Sequence, residues 1–148
     1  MPSWKNVEKK RSMKTDSSVL DASALLSLLK REKGFLEVKK ALEAAASGQI
    51  EVFINEINLG EVFYVLARSR SLEAARSFFS ETLPLLPILP VSSSMEDILA
   101  AAELKARFDL HYTDAFAAAT ASRKKASLLT SDRDFEAVTD EIEIRWLR

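Results

Sequence analysis

With 148 residues, 47% of them hydrophobic and 29% charged, the chain has the make-up of one folded domain rather than of a disordered or fibrous protein, and a domain of this size buries about two thirds of its unfolded surface. Its 21 basic and 22 acidic residues leave a formal net charge of −1, too little positive charge for a protein that coats nucleic acid, though carboxylates holding divalent cations can still present positive charge to a phosphate. Cysteine is absent, so disulfides, zinc–thiolate sites and thiol catalysis are excluded, and any metal is left to oxygen ligands or to the single histidine.

Residues 1–15 carry Lys5, Lys9, Lys10, Arg11 and Lys14 with little apolar periodicity, the pattern of a basic, flexible extension ahead of a domain spanning 16–148. No apolar run of about 18 residues follows this start, nor a signal-peptide core, so a cytoplasmic protein without membrane contact is expected. Ser18-Val19-Leu20 reads as a first strand, and Ser23 as the cap of a helix carrying Leu25, Leu28 and Leu29. Gly34 divides it from a second helix, Phe35 to Ala46, ended by Ser47-Gly48. Ile50 to Ile54 is the next strand, and Leu59, Val62, Phe63 and Leu66 then form an apolar stripe on one face of a helix.

A further helix from Leu72 to about Thr82 leads into Leu85 to Val91, where Pro87 and Pro90 allow only an edge or irregular strand. Ser94 caps a helix with Met95, Ile98, Leu99, Ala102 and Ala106 at helical spacing, and Thr113 is placed as the cap of an alanine-rich helix running from Asp114 to about Lys124. Ala126 to Thr130 and Ile142 to Trp146 complete the strands. Strands separated by helices imply right-handed crossovers and a mostly parallel sheet, hence a three-layer α/β/α domain whose functional residues gather beyond the carboxyl ends of the strands.

Three acidic residues share that relation to the layout: Asp21 follows the first strand, Asp114 opens a helix and Asp132 follows the strand ending at Thr130. Glu61 is placed in the first turn of its helix. Each alone has an ordinary explanation in helix dipoles and turns. Four carboxylates converging at one end of a sheet repel one another unless cations neutralise them, and oxygen ligands without cysteine select Mg2+ or Mn2+.

Asn58 lies three residues before Glu61, on nearly the same helix face, where its amide has two equal readings: a hydrogen bond to a site carboxylate or to substrate, or a helix cap. His111 is read as an exposed loop residue, since a two-metal mechanism needs no histidine for acid–base work. Arg68, Arg70, Arg123, Lys124 and Lys125 are candidates for phosphate contacts along a groove rim, against the ordinary reading of solvated helix ends.

The strings Val19-Leu20-Asp21-Ala22-Ser23-Ala24-Leu25-Leu26, Ile57-Asn58-Leu59-Gly60-Glu61-Val62, Tyr112-Thr113-Asp114-Ala115 and Leu129-Thr130-Ser131-Asp132-Arg133-Asp134-Phe135 together resemble the ordered motifs of VapC-type PIN-domain toxins, over essentially all of residues 17–148. The resemblance implies a ribonuclease with Asp21, Glu61, Asp114 and Asp132 around one or two divalent ions, Mg2+ or Mn2+. It implies that Thr130 lines the site and that Asp134 is a secondary acidic candidate. Asp21 and Asp114 would be direct ligands, while Glu61 and Asp132 would bind metal directly or through water. A small antitoxin inserting a segment into the acidic groove, and a homodimer, are implied as well. Two competing readings are a PIN-fold interaction scaffold without catalysis and a Mg2+-binding receiver domain. The second lacks an adjacent acidic pair after the first strand and a lysine after the penultimate one.

Overall fold

The computed structural model describes residues 16–148; the expected basic extension, 1–15, lies outside the described residues. Five strands form one parallel sheet in the order β3-β2-β1-β4-β5: β1 (Ser18–Leu20), β2 (Val52–Asn55), β3 (Leu89–Val91), β4 (Ser127–Thr130) and β5 (Ile144–Trp146). Between them run α1 (Ala22–Lys30), α2 (Phe35–Ala46), α3 (Glu56–Ser69), α4 (Leu72–Ser77), α5 (Met95–Arg107) and α6 (Tyr112–Lys124). The expected α/β/α domain is the one observed.

Strand periodicity builds the two cores. Leu20, Ile54 and Leu129 are register partners and point to one face, where they meet Leu25 of α1, Val38 of α2 and Val62 and Leu66 of α3. Val19, Phe53 and Leu128, one residue earlier in each strand, point to the other face and meet Ala101 of α5 and Phe116 of α6. Ala115, Ala117, Ala118 and Ala121 of α6 are all buried, so the small side chains let this helix lie close on the sheet.

The strand order has one reversal. The chain steps from β1 to β2 to β3 in one direction and then crosses through α5 and α6 to place β4 on the other side of β1. Beyond the carboxyl ends of β1 and β4 the loops diverge and leave a crevice, the position where open parallel sheets bind ligands.

Ser23 is not the cap of α1. Asp21 is, its carboxylate accepting from the Ala24 backbone N–H at 2.9 Å, because the chain turns into the helix directly after β1. Asn55 rather than Asn58 caps α3, accepting from the Ile57 N–H at 2.8 Å, so α3 starts at Glu56 and Glu61 falls in its second turn instead of its first. His111, not Thr113, is the residue before α6, and its side chain makes no cap bond. β2 starts at Val52 and not at Ile50, since its partner β1 is only three residues long and its ladder opens at Ser18–Val52. The helix expected from Leu72 to Thr82 loosens at Phe78 into a π-helical turn running to Thr82. Among the described residues, no helix is long and apolar enough to cross a membrane.

Candidate active site

Asp21 leaves the end of β1 and caps α1, so the strand and the helix fix its position together. Its Oδ2 accepts from the Thr130 hydroxyl at the end of β4 (2.5 Å), and its Oδ1 accepts from the Ser23 hydroxyl (2.7 Å). Thr130 Oγ1 also accepts from the Asp132 N–H at 2.9 Å, and Ser23 Oγ accepts from the Ser131 N–H at 3.3 Å. Each hydroxyl accepts from one backbone N–H and donates its single proton to Asp21. One carboxylate thus stitches β1 to the loop after β4 across the sheet's reversal. Burial pushes the Asp21 carboxyl up to about 6 against those hydrogen bonds, and Asp132 nearby adds to the rise.

Asp114 enters from the first turn of α6 and is 6% exposed. Its Oδ2 is buried without a hydrogen-bond partner; His111 Nδ1, 3.4 Å away, lacks hydrogen-bonding geometry toward it. Burial first, then the carboxylates of Asp132, Asp21 and Glu61, push Asp114 up to about 7, with His111 pulling the other way. Three separate carboxylates raising a fourth mark acids gathered in one place.

Glu61 projects from α3 and accepts from the Thr113 hydroxyl at 3.3 Å, while the Asn58 amide donates to the Thr113 carbonyl at 2.9 Å. Asn58, 1% exposed, therefore binds α3 to the start of α6, a reading the sequence did not offer: it neither caps the helix nor reaches a site carboxylate. Asp132 caps a short 3-10 turn, Arg133–Val138, by accepting from the Asp134 N–H at 2.9 Å. Phe135, fully buried, anchors that turn in the core.

These side chains line one cleft of about 410 Å3, walled by Asp21, Ser23, Glu61, Tyr64, His111, Thr113, Asp114 and Asp132. The four carboxylates singled out in the sequence meet there. Thr130 lies directly beneath through its bond to Asp21, and Asp134 approaches from the rim, its Oδ2 3.4 Å from His111 Nδ1. His111 is 77% exposed in its side chain, as expected, yet it stands at the cleft. Ser23, Thr113 and Tyr64 are the lining residues that sequence reasoning missed. Tyr64 had a signal, since it follows Glu61 by three residues and shares its helix face.

Arg68, Arg70 and Lys124 do not line the cleft. Arg68 lies over the Tyr64 ring at 5.3 Å, Arg70 donates to the Leu29 carbonyl at 3.4 Å, and Lys124 sits 4.6 Å above the Phe53 ring. Lys124 is ten residues along α6 from Asp114, about 15 Å at helical rise. A second cavity of about 270 Å3, beside β3, contains Asn55, whose amide already donates to Ser93 and Thr120 while its oxygen caps α3, so that polar side chain is satisfied.

The donor set suits a hard divalent cation. All four converging groups are carboxylates, the Oδ2 of Asp114 is buried with no proton donor, and the Asp21 and Asp114 carboxyls are held high by burial first and by neighbouring carboxylates second.

Solved structures of the same fold include VapBC2 from Rickettsia felis bound to a promoter DNA fragment (TM-score 0.69, 16% identity, covering 89% of this chain and 99% of that one). They also include VapC20 from Mycobacterium tuberculosis, a toxin that cleaves the sarcin–ricin loop (TM-score 0.67, 22% identity, 86% and 98%). FitAcB from Neisseria gonorrhoeae is a third (TM-score 0.61, 18% identity, 86% and 95%). Comparison with curated proteins yields no match. The PIN domain profile matches residues 18–141, most of the chain and all four converging carboxylates, so the chain belongs to the PIN domain family.

Proposed function

We propose that the protein is a divalent-metal-dependent endoribonuclease of the VapC type, hydrolysing RNA phosphodiester bonds and held in check by a small antitoxin. The observation that carries this reading is the buried, unpartnered Oδ2 of Asp114 in a cleft shared with Asp21, Glu61 and Asp132. Support also comes from solved toxin structures that share the fold at 16 to 22% identity.

Asp21 and Asp114 would hold Mg2+ or Mn2+ directly. Asp21 is oriented for that role by Thr130 and Ser23, whose hydroxyls keep both its oxygens in fixed directions. Glu61 and Asp132 bind the cation or orient the attacking water, Glu61 being positioned by Thr113 and Asp132 by its cap on the 3-10 turn. The chemistry a divalent ion would supply there is a lowered pKa for bound water and charge compensation at the phosphate. Tyr64, 45% exposed at the cleft, offers a ring on which a nucleotide base can stack. The same acidic groove suits a basic antitoxin segment. Met95 and Leu99, 68% and 61% exposed one turn apart on α5, offer apolar surface for a dimer contact.

The test is cleavage of a labelled single-stranded RNA panel, total tRNA and ribosomal RNA hairpins with Mg2+, Mn2+ or EDTA, comparing wild type with Asp21→Asn and Asp114→Asn. Cleavage that requires metal and disappears in both folded variants is the expected result. If partner-free, folded protein cuts none of these RNAs and binds no divalent ion that the variants lose, the catalytic reading fails and an interaction scaffold replaces it.

A further inference from the structure

His111 and Asp134 stand beside the buried Asp114 carboxylate. His111 Nδ1 lies 3.4 Å from Asp114 Oδ2 and 3.4 Å from Asp134 Oδ2. The three ligand atoms fall within 4.8 Å of one another. Two ligands each about 2.2 Å from one ion are about 3.1 Å apart at the roughly 90° of octahedral neighbours and about 3.6 Å apart at the roughly 110° of tetrahedral ones, a range that contains 3.4 Å. Neither histidine contact is a hydrogen bond in its geometry, and Asp114 Oδ2 has no other donor despite a side chain only 9% exposed. A carboxylate oxygen buried without a proton donor is costly unless something positive completes it.

We propose that His111 Nδ1, Asp114 Oδ2 and Asp134 Oδ2 form a mixed nitrogen–oxygen cation position at the rim of the cleft, one that takes a divalent transition ion such as Mn2+ in preference to Mg2+. The proposal rests on the metal reading above and shares Asp114 with it, but it enlists two residues outside the four converging acids. Imidazole is a ligand of transition ions, while Mg2+ keeps to oxygen and water and dehydrates reluctantly. The nitrogen therefore sets the preference, and the exposed ring of His111, whose side chain makes no cap bond, is free to turn onto the ion. Two cation positions sharing one carboxylate would place charge on both sides of a bound phosphate.

His111 is the chain's single histidine, so it is the one possible source of an imidazole signal. The full chain is titrated with MnCl2 and separately with MgCl2 by calorimetry, and the Mn2+ form is examined by pulsed electron paramagnetic resonance for imidazole 14N coupling. Wild type is compared with His111→Ala and Asp134→Asn, with circular dichroism to verify folding. The expected result is an imidazole 14N coupling in wild type that is lost in His111→Ala. Mn2+ affinity at one position falls at least about tenfold in both variants, while the Mg2+ titration is unchanged. Mn2+ bound without imidazole coupling, and with affinity untouched by His111→Ala, overturns this inference and leaves the four-carboxylate reading standing. If neither ion binds wild type at all, both readings fall together.

Discussion

Replacing Asp114 by Asn should make the metal-free protein more stable at neutral pH. The Asp114 carboxyl is held at about 7 against an ordinary 3.8, by burial and by the carboxylates of Asp132, Asp21 and Glu61. Because the folded value is raised, the stabilisation from the protonated form is fully present below pH 3.8 and is lost as pH rises through about 7. Each pKa unit corresponds to about 1.4 kcal/mol, so the whole shift corresponds to at most about 4 kcal/mol. Water in the open cleft screens part of the repulsion, which leaves about 1–2 kcal/mol for the neutral, isosteric amide to recover. At this chain length, that gain raises Tm by about 2–8 °C.

The assay is urea and thermal unfolding in EDTA at pH 8 and at about pH 3.5. Asp114→Asn should exceed wild type at pH 8 and nearly match it at about pH 3.5, below the ordinary value of 3.8, where Asp114 is protonated in the folded chain and largely protonated in the unfolded one. Wild type itself should lose stability between pH 4 and about pH 7 in EDTA, since Asp21, held at about 6, titrates in the same direction. Mg2+ should then restore wild type and leave the variant nearly unaffected. Equal or lower stability of Asp114→Asn at pH 8, or a gain that persists undiminished at about pH 3.5, would refute the argument that a buried, unbalanced carboxylate strains this site.

Thr130→Val removes the proton donor to Asp21 Oδ2 and the acceptor of the Asp132 N–H without changing side-chain shape. A loss of about 1–3 kcal/mol at pH 8 is expected in chemical denaturation, shrinking at pH 4.5 where a protonated Asp21 can itself donate. Gly34 has φ of +89°, and a Cβ there would stand 2.6 Å from Leu147 Cβ. Gly34→Ala should therefore cost about 1–3 kcal/mol in thermal unfolding, and a neutral result would show that the C-terminal residues move away freely. Phe135→Ala empties a fully buried position under the turn that carries Asp132 and Asp134. It should cost about 3–5 kcal/mol, read by urea denaturation.

The sequence by itself determined the layout, because layout is written in local patterns. Leu59, Val62 and Leu66 repeat at helical spacing and are buried together on α3, and Leu20 and Val19 alternate as a buried parallel strand does. Placing Asp21, Asp114 and Asp132 after strands or at helix starts was enough to foresee that they meet, since a parallel sheet carries all such positions to one edge. Choosing between rival caps lay beyond local pattern: Asp21 against Ser23, and Asn55 against Asn58, depend on where the neighbouring strand stops, which pairing partners decide. The tertiary structure alone set Asn58 against the Thr113 carbonyl, 55 residues away, and brought His111 and Asp134 to the exposed flank of Asp114. Those contacts join three separate segments, α3, the start of α6 and the turn after β4, and spacing within one segment carries no information about its distance from another.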